Sequence, residues 1–202
     1  MIPLAPTADE VRAFYAYLPG RFGARVAQKA DSEAMKACAR FLALLKIGSA
    51  DAFMSSYCTT IPDVTGQAGA AIYVPFEPGT PLGGWTLQAQ HDLLVHECTH
   101  AVQIATDGGL AFALAYLADE MARAMYEARA YATAIELACL RGVTPPDAAD
   151  LANHLLGYGC SAAAITVARE AIESLALTIG AGALINEASR ETRAWWLARA
   201  AA

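Results

Sequence analysis

The chain has 202 residues, 56% hydrophobic and 17% charged, enough apolar material for one substantial core, and no composition break divides residues 1–202 into more than a single domain. A formal net charge of -6 supplies no basic patch to hold a polyanion, which argues against nucleic acid as a partner. The longest apolar tracts, Gly109 to Ala118 and Ser174 to Ile185, fall short of the roughly 20 residues that cross a bilayer, so no membrane span is expected.

The start, MIPLAPTADEVRAFYAYLPG, carries acidic residues and no positive stretch leading into an apolar run, unlike a secretory leader. Cys38, Cys58, Cys98, Cys139 and Cys160 are odd in number and lack paired spacing, which fits a reducing, cytoplasmic setting. Alanine-rich segments longer than strands dominate, so the fold class expected is α+β and predominantly helical. Thr7 to Leu18 and Asp31 to Leu45 read as helices separated by Pro19-Gly20. Between Tyr57 and Phe76 the short, β-rich pieces YCTTI and AAIYVP flank the turn residues PDVTGQAG, which predicts a hairpin.

The Pro/Gly-rich loop PFEPGTPLGG then leads to Thr86, an N-cap candidate for a helix ending near Asp107-Gly108-Gly109. Leu110 to Leu140 reads as a long helical stretch broken once and ending at Arg141-Gly142. Thr144-Pro145-Pro146-Asp147 starts the next helix, with proline in the first turn and a carboxylate at the positive end. Ala148 to Leu156, Ser161 to Ile179 and Asn186 to Ala200 complete a helical C-terminal half.

His96-Glu97-Cys98-Thr99-His100 is an H-E-x-x-H sequence inside a predicted helix, the context that motif requires. Histidines four residues apart lie about 40° apart around the helix, so both imidazoles reach one ion from the same face. Glu97 stands about 100° from His96, placed to address a water on that ion without binding it. Zn2+ with three protein ligands and an open position lowers the pKa of its water, and a neighbouring carboxylate takes the proton. Leu94, Val95, Cys98, Ala101, Val102 and Ala105 form the apolar stripe expected to face the core, with His96 and His100 on roughly the opposite side.

Glu120 and Glu127 are the candidates for a third ligand. They lie seven residues apart on one predicted helix face, with Arg123 between them, in sequence that is apolar on nearly every side. A carboxylate buried there needs a cation.

The segments LLVHECTHAVQ (Leu93 to Gln103) and YEARAYA (Tyr126 to Ala132) together resemble the gluzincin-type zinc peptidases, in which H-E-x-x-H is followed by a helix bearing a glutamate ligand. The resemblance spans about Tyr57 to Leu140 and would make this a compact, single-domain version with a zincin-like active helix preceded by a small hairpin or sheet. It implies Glu127 as third ligand, within Glu127-Ala128-Arg129-Ala130-Tyr131, and Glu120 as the runner-up. It also implies Glu97 as general base, zinc as cofactor and a peptide or protein as substrate. Ala70 to Pro75 resembles the strand such enzymes place at the sheet edge, where an extended substrate adds as a further strand.

Transition-state stabilisation takes a donor besides the metal, and Tyr131, His154, Tyr158 and Tyr73 are the candidates. Gln103 shares the histidine face and suits a supporting role toward the ligands. His91 is expected at the surface near the first turn, Cys98 in the core, and Trp195 and Trp196 in packing or oligomer contacts. Three other readings compete: a deformylase-like hydrolase with a cysteine ligand, a non-catalytic zinc-binding module, and a metal-free helical interaction protein. Gly159-Cys160-Ser161 follows the motif whereas deformylase-like proteins place the cysteine before it, and a structural zinc site has no use for Glu97.

Overall fold

A computed structural model describes residues 2–44 and 50–201. The fold is α+β and predominantly helical, with one small mixed sheet. The first helix, α1 (Ala8–Arg21), opens on a reciprocal cap: Thr7 accepts from the Glu10 amide while the Glu10 carboxylate accepts from the Thr7 amide. It runs through Pro19-Gly20 rather than ending before them. Strand β1 (Ala24–Gln28) follows, then a short 3-10 turn, α2 (Glu33–Leu44) and α3 (Ala50–Ser56). The helix expected to reach Leu45 thus has its last residue outside the described part of the chain.

The hairpin forms as β2 (Thr59–Pro62) and β3 (Ala70–Val74), antiparallel in register. The sequence did not signal β1, which pairs with β3 in parallel and gives the order β1-β3-β2. Asp63 locks the hairpin loop by accepting from the Thr65 and Ala68 amides and from both arms of Arg25 on β1, each at 2.9 Å. The Ala70 to Pro75 segment is therefore central and buried on both faces, and the edges belong to β1 and β2. No substrate strand can add to β3, because both of its hydrogen-bonding sides are already taken.

Helix α4 (Leu87–Asp107) begins at Thr86, whose hydroxyl accepts from the Ala89 amide, and ends at Gly108. The loop before it is tied down by Gln90, whose amide contacts Gly79, Thr80 and Trp85 backbone groups. Gly79 has φ 81°, and a Cβ there would stand 2.6 Å from the Ala8 carbonyl, so only glycine fits. The long stretch after Gly108 breaks at Asp119 into α5 (Gly109–Ala118) and α6 (Glu120–Arg141), with α5 turned 114° from α4. Then come α7 (Ala148–Asn153), a 3-10 segment over His154–Tyr158, α8 (Ala162–Gly180) and α9 (Glu187–Ala200). No single described helix is long and apolar enough to cross a membrane.

Period-two alternation splits β3 between two cores. Ala70, Ile72 and Val74 face α1, α4 and α9, among Phe14, Leu18, Leu94, Cys98, Trp195 and Trp196. Ala71 and Tyr73 face the other way, against Met35. A third cluster joins α6 to α8: Ala124, Ala128 and Ala132 meet Ala164, Ala168 and Ile172, and small side chains at helical spacing let the two axes approach closely. The apolar stripe of α4 holds through Leu94, Val95, Cys98 and Ala101, but Val102 is half-buried and Ala105 exposed, with Ile104 taking the buried place in the last turn.

The side of α4 opposite that stripe is also interior: α6 lies against His100 and Gln103, and β2 against Glu97, and all three are buried. His91 is buried too, not at the surface as expected, since α1 and α9 cover the first turns of α4. It stacks on Phe14 with ring centroids 4.5 Å apart and accepts from the Trp196 indole at 3.0 Å. Indole is a donor only, so the proton sits on His91 Nδ1, which donates to Asp92 Oδ1 at 2.8 Å. Asp92 also pairs with both arms of Arg141, which clamps the end of α6 to the start of α4.

Candidate metal centre

The packing of α4 against α6 brings His96, His100 and Glu127 together, and among the described residues theirs is the one group of three with ligand atoms all within 4.8 Å. His96 Nε2 is 3.2 Å from His100 Nε2, and each of these nitrogens is 3.4 Å from a Glu127 oxygen, Oε2 for His96 and Oε1 for His100. A tetrahedral zinc with bonds of about 2.0–2.1 Å has ligand atoms about 3.3 Å apart, close to the spacings here when each is taken to the nearer Glu127 oxygen. Glu127 Oε2 is buried with no hydrogen-bond partner among the described residues. A buried carboxylate oxygen without a donor, 3.4 Å from the His96 nitrogen, fits a cation, whether a metal ion or a protonated imidazole. The donor set, two imidazoles and one carboxylate, suits zinc.

The charge balance agrees. Burial alone would lower the pKa of His100, but the Glu127 carboxylate outweighs it and raises it to about 9. Burial would raise Glu127, yet His100 and His96 hold it well below the ordinary carboxylate range. A proton on imidazole is one source of the positive charge that balances this carboxylate.

Gln103 fixes which nitrogen of His100 faces the triangle. Its amide nitrogen donates to the Tyr126 carbonyl at 3.0 Å, so its oxygen is the atom 2.7 Å from His100 Nδ1. Nδ1 therefore carries a proton and, in the neutral ring, Nε2 presents its lone pair to Glu127 and His96. His100 and Glu127 are buried, while the His96 side chain keeps 13% of its surface exposed, which places the solvent side of the triangle at His96.

Glu97 lies outside the three-residue group, buried at the border of α4 and β2, where the Thr60 hydroxyl donates to Oε2 at 2.6 Å and orients the carboxylate. Tyr116 of α5 donates to Glu127 Oε1 at 2.5 Å. Burial and then the Glu127 charge push its phenol pKa well above the usual value, so it remains a donor. Sequence reasoning missed both Thr60 and Tyr116. The one available signal was that Tyr116 is the only polar side chain in the tract Gly109 to Ala118.

Glu120 does not join the group. It sits in the first turn of α6 and turns to α8, accepting from the Ser161 amide at 2.9 Å and the Ser161 hydroxyl at 2.8 Å. The face shared with Glu127 on the wheel does not help, because the end of α6 that holds Glu120 has passed beyond α4 and meets the N-terminus of α8 instead. Cys160 is beside it, with its thiol 4.0 Å from the Glu120 carbonyl, and is no part of the triangle.

Of the four donor candidates, Tyr131 is nearest, its ring 5.1 Å from that of His96. His154, exposed, follows at 5.9 Å from Tyr131. Tyr158 lies close enough to Tyr131 to ease its ionisation, although burial dominates and raises both phenols. Tyr73 is removed from the set: it projects from the face of β3 turned away from α4, beside Met35 and the Arg25 guanidinium. No protein-family model matches the chain, and no curated protein and no solved structure matches it.

Proposed function

We propose that the protein is a zinc-dependent hydrolase of peptide bonds of the gluzincin type, in which His96, His100 and Glu127 hold the ion and Glu97 is the general base. The observation that supports it most is the buried triangle of His96, His100 and Glu127 with the bare oxygen Oε2. A zinc ion bound there would lower the pKa of a water and polarise the scissile carbonyl. Glu97, one residue from His96 and oriented by Thr60, accepts the proton of the attacking water and passes it to the departing amine. Gln103 keeps His100 in the tautomer that binds through Nε2. Tyr131, beside the solvent-side ligand His96, is the donor best placed to meet charge developing on the carbonyl oxygen.

The reading is tested on protein purified without chelators. It should carry about one zinc per chain, as the single triangle predicts, and cleave members of a quenched-fluorescence peptide library. Glu97→Gln should keep the zinc and lose hydrolysis by ~100-fold or more. Protein that takes up no zinc, or a Glu97→Gln variant as active as the parent, would refute it.

A further inference from the structure

The two oxygens of Glu127 are treated differently by the fold. Each lies 3.4 Å from one imidazole nitrogen, Oε1 from His100 Nε2 and Oε2 from His96 Nε2, but only Oε1 also accepts from the Tyr116 hydroxyl, and Oε2 has no hydrogen-bond partner among the described residues. Tyr116 comes from α5, whose other residues are glycine, alanine, leucine and phenylalanine. Its position is fixed on three sides. The ring stacks on Phe112 at 5.6 Å, stands edge-on to His100 at 6.3 Å, and the Tyr116 carbonyl accepts from Arg123 Nη1 at 2.6 Å. Asp119 caps α6 immediately after α5, through the Met121 and Ala122 amides, so a single capping residue joins the helix bearing the hydroxyl to the helix bearing the carboxylate.

We propose that Tyr116 is a positioning residue that makes Glu127 a one-oxygen ligand: it occupies Oε1 and leaves Oε2 alone to meet the ion. This rests on the zinc reading above. A carboxylate released from that hydrogen bond can rotate and chelate with both oxygens, which fills the position a catalytic zinc must keep open. Support for a ligand of this kind is typically worth ~10–100-fold in metal affinity.

The experiment compares the parent chain with Tyr116→Phe, which keeps the ring and its contacts with Phe112 and His100 and removes only the hydroxyl. Cobalt(II) replaces zinc as a spectroscopic probe, and zinc affinity is measured by chelator competition. The parent should give the intense visible bands of four-coordinate cobalt. Tyr116→Phe should give the weaker bands of five-coordinate cobalt and bind zinc ~10–100-fold less tightly. Phe112→Leu, which disturbs the packing around Tyr116 but not its hydroxyl, should keep the parent spectrum. Unchanged bands in Tyr116→Phe, with or without weaker binding, would overturn the proposal, as would the same spectral change in Phe112→Leu. A parent chain that binds neither metal would instead refute the zinc reading itself.

Discussion

At the scale of single residues, the proposed site rests on groups outside the three candidate ligands. Gln103 is the clearest, because its amide is read unambiguously: the nitrogen must donate to the Tyr126 carbonyl, which leaves the oxygen for His100 Nδ1. Gln103→Leu keeps the volume and removes the acceptor, freeing His100 to place its proton on Nε2, where it competes with the metal. Zinc affinity measured by competition should fall ~10–100-fold, with the fold intact by circular dichroism. Equal affinity would mean that the packing of His100 alone sets its tautomer.

At the scale of elements, α6 shows how one helix assigns two glutamates to different work. Glu127 lies where α6 crosses α4 and α5, and Glu120 lies one end further on, satisfying amide and hydroxyl donors at the first turn of α8. Two single substitutions separate these roles. Glu120→Ala should lower the melting temperature slightly and leave zinc content unchanged. Glu127→Ala should weaken zinc binding by more than the ~100-fold that bounds the loss of a supporting group. Zinc analysis after dialysis checks both, and loss of zinc in Glu120→Ala would reverse the assignment.

At the scale of the whole molecule, α4 is the axis on which the fold is assembled, with the sheet, α1 and α9 on one side and α6 on the other. The Asp92 to Arg141 clamp holds these layers in register, and His91 extends it to Trp196 of α9. Burial raises the pKa of Asp92, but the hydrogen bonds from His91 and Arg141 outweigh it and hold the carboxyl below its ordinary value of 3.8. A carboxyl depressed in this way contributes stability that is present above pH 3.8 and is lost as pH falls through its lower native value. Asp92→Asn should therefore cost about 2 kcal/mol at neutral pH, the loss from breaking a buried pair reduced for the part of Asp92 that water still screens. It should also flatten the acid side of the stability curve below pH 3.8; denaturant unfolding at a series of pH values checks both. A curve parallel to that of the parent would place the acid sensitivity elsewhere.

Much of this was legible along the chain because it is local. Thr86 announces its helix as an N-cap, Gly108 and Gly142 end theirs, and the hairpin follows from β-branched pieces around turn residues. The pair His96 and His100 is likewise local, since four residues on a helix fix their common face. The amino-acid sequence thus determined most of the helices, though not α3, together with the hairpin and the two imidazoles. Tertiary structure decided the rest. The parallel pairing of β1 with β3 joins segments 46 residues apart in register and leaves no local pattern. The burial of His91 comes from α1 and α9 closing over it. Glu127 rather than Glu120, Thr60 on Glu97 and Tyr116 on Oε1 are all matters of which helix or strand crosses which, and at what point. Periodicity gives each side chain a direction from its own axis; only the packed axes fix what stands opposite.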